Sequence, residues 1–234
     1  MIRVGIVGCG RIVEVGHAPA FEELDNRFEI VAVADPSKER RGLIGDRFGV
    51  PAESRYINWD DLFKDRNIDL IDMALPHFLH RDSCLAAAAS GKPILMEKPM
   101  ATSLEEADEI MAAVANSGAP ACIVHNYLYS AESMKTLELL RTGSIGRPFL
   151  VRIEGLSDSH WPGVGAYDPD WRTRAKSSGG GALIDNAYHN LYSAAAYMGS
   201  RVTEVYARLG TFVRDIEVED TVVVTLSHEN GGTS

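Results

Sequence analysis

Apolar residues arrive in unbroken runs through the first half of the chain, at 2–7, 28–34 (FEIVAVA), 70–75 (LIDMAL) and 94–96. Runs without alternation suit strands covered on both faces. Between them the period lengthens to that of helices, over 11–24, 37–48, a short stretch opened by Asn58, and 79–89. A fifth helix opens at Thr102 or Ser103, carries Glu105 and Glu106 in its first turn and stops at Gly118. Strand alternating with helix predicts an α/β fold: a doubly wound parallel sheet of Rossmann type built from right-handed crossovers.

After ACIVHNY (121–127) the pattern changes. A helix over 130–141 leads to an expected strand at 148–155, in which Phe149, Val151 and Ile153 alternate with Arg152 and Glu154, so that one face is wet. A polar, aromatic loop spans 157–178, a helix follows over 181–198, and two alternating strands lie near 202–212 and 221–228. This is an α+β domain with an open sheet. The expected division is 1–125 for the first domain and 126–234 for the second.

The 33 acidic and 23 basic residues give a net charge of -10 with no dense Lys/Arg run, which argues against a nucleic-acid partner. No stretch of about 18 apolar residues spans a bilayer, and the N-terminus lacks the apolar core of a signal peptide. A cytoplasmic protein is expected. Cys9, Cys84 and Cys122 are an odd number without CxxC spacing, which suits reduced, buried thiols and no metal site.

The chemistry begins at VGIVGCGRIV. Its glycines follow a strand and precede a helix, and the next strand ends in Asp35, the context that a dinucleotide fingerprint requires. Gly8 permits the tight turn, Gly10 lets backbone approach a pyrophosphate, and the helix start at Arg11 and Ile12 offers unpaired N–H groups. Asp35 can accept both ribose hydroxyls and would repel a 2′-phosphate, favouring NAD. Lys38, Arg40 and Arg41 follow closely enough to leave NADP open. The third fingerprint position is Val13 instead of Gly or Ala, which should push the helix outward.

Met96-Glu97-Lys98-Pro99 ends a strand at the carboxyl edge of the sheet, where ligands of such folds sit. Beside a ring that becomes cationic on oxidation, the Lys98 ammonium is disfavoured, which suits it to bind or help deprotonate a hydroxyl. A surface lysine paired with Glu97 is the plainer alternative. GGGALIDNAYH (179–189) places Asp185 and His189 four residues apart on one expected helical face. An imidazole there can act as general base with a carboxylate fixing its tautomer, or the pair can be a solvated face.

The sequence resembles the glucose-fructose oxidoreductase/inositol dehydrogenase (Gfo/Idh/MocA) family. The marks run through the chain in order: GIVGCGRIV with His17 and Pro19 behind it, VAVADPS, MALPHFLHRDSCLAAAASGKPILMEKPM, GSIGRP, DWRTR and GGGALIDNAYH. The resemblance implies a dinucleotide domain followed by a domain whose open sheet covers the nicotinamide and often mediates homo-oligomers. It implies that Lys98, Asp185 and His189 are catalytic: His189 takes the hydroxyl proton, Lys98 orients that oxygen, and Asp185 steadies the imidazole or binds an adjacent hydroxyl. Pro76, His77 and His80 match the loop beside the cofactor, and Glu97 a residue near the nicotinamide ribose; for both histidines, capping or packing is the competing reading. Trp171 and Arg172 match a feature lining the substrate site. His160, Trp161 and Tyr167 could join them by stacking on a sugar ring, or could pin the loop.

Three departures stand out. Ala187 replaces a small glycine between Asp185 and His189, Asn126-Tyr127-Leu128-Tyr129 replaces an Arg-containing segment, with Tyr127 expected at the substrate, and members usually continue well beyond this chain's end. Val222, Val224 and Leu226 then form an apolar stripe whose next strand is missing, as expected of a fragment, a shortened product or a sheet completed by a second copy. The leading expectation is an NAD-dependent (alternatively NADP-dependent) dehydrogenase of a secondary hydroxyl on a sugar, polyol or cyclitol. An NAD-retaining glycosidase and a non-catalytic NAD-binding regulatory or scaffold protein are the alternatives.

Overall fold

The computed structural model describes residues 1–156, 164, 167, 168 and 170–234. Six parallel strands form the first sheet: β1 (Ile2–Val7), β2 (Phe28–Ala34), β3 (Arg55–Tyr56), β4 (Leu70–Met73), β5 (Ile94–Met96) and β6 (Ala121–Ile123). Their order is β3-β2-β1-β4-β5-β6, so the winding reverses between β1 and β4. That reversal opens a crevice at the carboxyl ends of the two strands. The helices are α1 (Ala18–Glu23), α2 (Lys38–Arg47), α3 (Trp59–Lys64), α4 (His80–Ala89) and α5 (Leu104–Ser117).

The continuous apolar runs are explained by burial on both faces. Val4 and Ile6 of β1 pack with Val13, Ile30, Val33 and Ile44 on one side. On the other, Val7 packs with Ala32, Leu62, Ile71, Met73 and Ala87. Each of the buried Val, Leu, Ile and Met side chains among these stabilises the fold by roughly 1.5–3 kcal/mol. Capping follows the sequence signals: the Ser103 side chain accepts from Glu106 N, and Gly118, with φ 69°, ends α5.

Val13 does not simply push its helix outward. The chain forms a π-turn over Val13–His17 before entering α1, and the Val13 side chain is completely buried within the wider turn. Such turns are frequent at functional sites, and this one ends on His17.

The chain divides into two compact units. The first comprises Met1–Val124 with the described residues Val164, Tyr167, Asp168, Asp170 and Trp171; the second comprises 125–156 and Arg172–Ser234. The second unit contains α6 (Ala131–Arg141), α7 (Ala175–Ser178), α8 (Tyr188–Met198), β7 (Val202–Gly210) and β8 (Thr221–His228). The two strands pair antiparallel, Val205 opposite Leu226 and Leu209 opposite Val222.

Two expectations for this unit need correction. The strand expected at 148–155 is absent: Leu150 makes a single bridge to Thr233, with Val151 N donating to Thr233 O at 3.0 Å. Alternation alone does not make a strand; a partner must run alongside, and here Thr233 offers one step of pairing. The stripe on β8 is also not bare along its length, because the chain turns back and Leu226 and Ser234 exchange N–H···O bonds of 2.8 and 2.9 Å. Among the cysteines, Cys9 and Cys84 are buried as expected, whereas Cys122 is exposed.

Candidate active site

The first unit gathers its candidate residues around the end of β1. Gly8 has φ 87°, and a Cβ there would lie 2.3 Å from Ala74 O, so the turn over β4 admits no side chain. At Gly10 a Cβ would meet nothing within 4 Å, leaving open space over the backbone at the start of the following helix. Arg11 and Ile12 at that start are exposed.

Asp35, at the end of β2 and 3% exposed, is tied into this turn. Its Oδ2 accepts from Cys9 N at 2.7 Å and its Oδ1 from Ser37 N at 2.8 Å. The Tyr167 hydroxyl also donates to Oδ2, and burial followed by this bond pushes the Tyr167 phenol well above its ordinary pKa. Two of the three cations that left NADP open, Arg40 and Arg41, are engaged nearby, while Lys38 is exposed. Arg40 donates from Nε to Cys9 O and from Nη2 to Glu14, both at 2.8 Å, and Arg41 donates to Asp35 O.

The Glu-Lys-Pro turn is held from three sides. Glu97 N donates to Met73 O at 2.8 Å, Lys98 N donates to Glu97 Oε2 at 3.0 Å, and the Lys98-Pro99 peptide is cis. His80 Nδ1 lies 2.6 Å from Pro99 O and its Nε2 2.9 Å from Leu75 O. His80 is completely buried, and desolvation lowers its pKa, partly offset by these two carbonyls. Expected beside a cofactor, His80 stands instead as a clamp between the loop after β4 and the turn after β5. Pro76 precedes a short 3-10 turn, His77–Leu79. His77 is 3% exposed and meets the Trp171 ring edge-on, centroids 4.7 Å apart. Trp171, expected at the substrate, is itself buried here, with Phe78 on another side.

Sequence reasoning missed the partners beneath this turn. His17 Nδ1 lies 2.8 Å from Asp72 Oδ2 and its Nε2 3.1 Å from Glu97 Oε1. Asp72 is completely buried in the middle strand β4. The signal was an acid inside the apolar run LIDMAL, since a fully buried carboxylate requires a partner.

In the second unit the glycine run positions a helix. A Cβ on Gly181 would lie 2.0 Å from Glu219 O, Ala182 N donates to that oxygen at 2.8 Å, and Leu183 N donates to Glu219 Oε1 at 2.9 Å. Glu219, which sequence reasoning missed, thus caps the segment that carries Asp185 and His189. That segment is a π-turn over Leu183–Ala187 before α8 begins, a wider turn than the α-helix expected there. Asp185 Oδ2 lies 3.3 Å from Arg172 Nε. Burial lowers the Arg172 pKa, and Asp185 pulls it back up. His189 Nδ1 lies 2.7 Å from the Tyr192 hydroxyl, and Tyr127 stacks on the imidazole at 4.1 Å and 14°. The structure therefore brings Arg172 to Asp185 and Tyr127 and Tyr192 to His189. His160 and Trp161 lie outside the described residues.

Together these features define a dinucleotide-fold domain joined to an α+β domain that carries an acid, a base and an arginine. Residues 2–125 match the NAD-binding Rossmann-fold model of the Gfo/Idh/MocA oxidoreductase family, and residues 134–234 match its C-terminal domain model. The chain belongs to that family. It is 31% identical over 98% of its length to an uncharacterized oxidoreductase of Bacillus subtilis, and 27% identical over 100% of its length to the D-apiose dehydrogenase of Rhizobium rhizogenes. It spans 64% of each of those relatives. The WlbA dehydrogenase from Bordetella pertussis, solved with NADH and UDP-GlcNAcA, superposes with a TM-score of 0.82 at 26% identity, covering 99% of this chain and 68% of that one. No helix among the described residues is long and apolar enough to cross a membrane.

Proposed function

We propose that this protein is an NAD-dependent dehydrogenase acting on a secondary hydroxyl of a sugar, polyol or cyclitol. The observation that carries the reading is the crevice at the sheet reversal, where Gly8 cannot bear a side chain, Gly10 faces open space, and Asp35 presents its carboxylate. These residues fit the cofactor: Asp35 would hold the ribose hydroxyls, and Gly10 with Arg11 and Ile12 the pyrophosphate. The engaged Arg40 and Arg41 favour NAD over NADP. Bound NAD supplies a hydride acceptor.

The remaining work falls to this chain's side chains. Lys98 binds the substrate hydroxyl oxygen and favours its deprotonated form. His189 takes the proton at Nε2. Tyr192 Oη already accepts from Tyr127 N at 3.1 Å, so its second lone pair suits a proton on His189 Nδ1, which leaves the basic lone pair on Nε2. Arg172 holds the Asp185 carboxylate, which binds a neighbouring substrate hydroxyl. A homo-oligomer built through the second unit's sheet and a cytoplasmic location belong to the same proposal.

Mixing the protein with NAD and a panel of inositols, aldoses and nucleotide sugars tests this reading by the absorbance of the reduced cofactor. Turnover with at least one of them is expected. Binding of NAD without reduction by any of them overturns it.

A carboxylate offers about four acceptor positions, and three on Asp35 are already taken by Cys9 N, Ser37 N and the Tyr167 hydroxyl. The phenol competes with the ribose. Tyr167→Phe should therefore tighten NAD binding about 3- to 10-fold, the equivalent of one hydrogen bond, as measured by titration calorimetry. Unchanged or weaker binding contradicts the competition.

A further inference from the structure

We propose that His17 is a positioning residue for Lys98: held as an imidazolium between the Asp72 and Glu97 carboxylates, it locks Glu97 against the Lys98 backbone N–H and so sets where the lysine stands. The inference rests on the dehydrogenase reading for the role of Lys98, but the clamp itself is geometric. Both ring nitrogens of His17 face carboxylate oxygens, at 2.8 and 3.1 Å. A neutral imidazole donates from one nitrogen only, so two carboxylate acceptors are satisfied together by the doubly protonated ring. Glu97 spends one oxygen on His17 and the other on Lys98 N. The link from the π-turn to the working lysine is therefore unbroken.

Burial argues for the same state. Asp72 is completely buried, and its second oxygen, Oδ1, has no hydrogen-bond partner among the described residues. That carboxylate depends on His17 for compensation, and buried charges persist when paired. The charged groups that act on the ring are Asp72 from β4 and Glu97 from the turn after β5; Lys98 acts in turn on Glu97, and Glu97 and Lys98 both act on His80 at the start of α4. Desolvation alone would lower the His17 pKa, and the two carboxylates outweigh it, raising it to about 10. Glu97 is held below its ordinary value against desolvation by His17 and Lys98.

The test follows His17 and Lys98 separately. In the wild-type protein, ring carbon and nitrogen NMR shifts of His17 should keep the doubly protonated signature well past neutrality, turning near pH 10, whereas an unperturbed imidazole turns near about 6.5. Lys98 accessibility is read as its reductive methylation relative to the exposed Lys64, by peptide mass spectrometry across the same pH range. The ratio should break where His17 deprotonates. Asp72→Asn removes the strongest attraction on the ring, so the His17 titration should move to lower pH by a unit or more, a tenfold or greater loss of proton affinity. The labelling break and the alkaline limb of kcat should move with it while KM for NAD holds. His17→Gln should abolish the break, which covers the case in which Asp72→Asn does not fold.

Titration of wild-type His17 near the ordinary value overturns the proposal. So does a shift of the His17 titration in Asp72→Asn that leaves the Lys98 labelling break where it was, because a purely structural histidine would behave that way. The NMR and labelling readouts need no turnover, so a failure of the dehydrogenase reading shows as absent reduction of NAD with the labelling break intact.

Discussion

On the proposed dehydrogenase reading, Lys98→Met should lower kcat by roughly 10²- to 10⁴-fold, the span usual for loss of a positioned proton-handling group, while NAD binding stays within about 2-fold. Methionine keeps most of the lysine's length and removes its charge and donors. The turn around it is built from other groups: Glu97 N on Met73 O, Lys98 N on Glu97, and His80 on Pro99 O. None of these uses the Lys98 ammonium. Steady-state kinetics beside a cofactor titration separate the two effects, and a variant that binds NAD normally and turns over at the wild-type rate contradicts the assignment. A cofactor-binding protein with no chemistry would be indifferent to the change.

The second large effect is on stability. Gly8→Ala places a methyl group 2.3 Å from Ala74 O and 3.0 Å from Ala74 C, at a φ of 87° that L side chains rarely adopt. The obstacle is backbone, held by Ala74 N donating to Val7 O and Gly8 N donating to Ala34 O, both at 2.9 Å, so it cannot swing aside. Strain and overpacking together should destabilise the first unit by about 2–4 kcal/mol, seen as a lower urea midpoint. Gly10→Ala is the matched control. Its methyl group would meet nothing within 4 Å, so the unfolding free energy from urea titration should stay within about 0.5 kcal/mol of wild type while NAD binding weakens, because the methyl projects where the pyrophosphate must come. Equal stability losses in the two variants would contradict this division of roles.

Much of the first unit was legible because its signals are local. Unbroken apolar runs marked strands that are buried on both faces, and the spacing of Gly8, Gly10 and Asp35 marked the turn and the acid that now share a hydrogen bond through Cys9 N. What stayed hidden depends on long-range pairing. His17, Asp72 and Glu97 are 55 and 80 residues apart in the pairs they make, and no periodicity links them. The acid within LIDMAL was the one trace of that cluster. The wide turns at Val13–His17 and Leu183–Ala187 also escaped, because both segments read as ordinary helix. The second of them sends Asp185 to Arg172 and leaves the Nδ1 side of His189 to Tyr192. The segment at 148–155 failed for the opposite reason: its alternation was genuine, but a strand exists only where a partner runs beside it.

The dehydrogenase proposal stands or falls on transfer of a hydride from a carbinol carbon to NAD. Its most direct test uses an inositol or aldose that the protein oxidises, deuterated at the reacting carbon, with mass spectrometry of the reduced cofactor. Deuterium on the reduced nicotinamide, slower turnover than with the light substrate, and loss of both signals in Lys98→Met are expected. Reduced cofactor without deuterium, or a labelled product formed with the same yield by Lys98→Met, would contradict it.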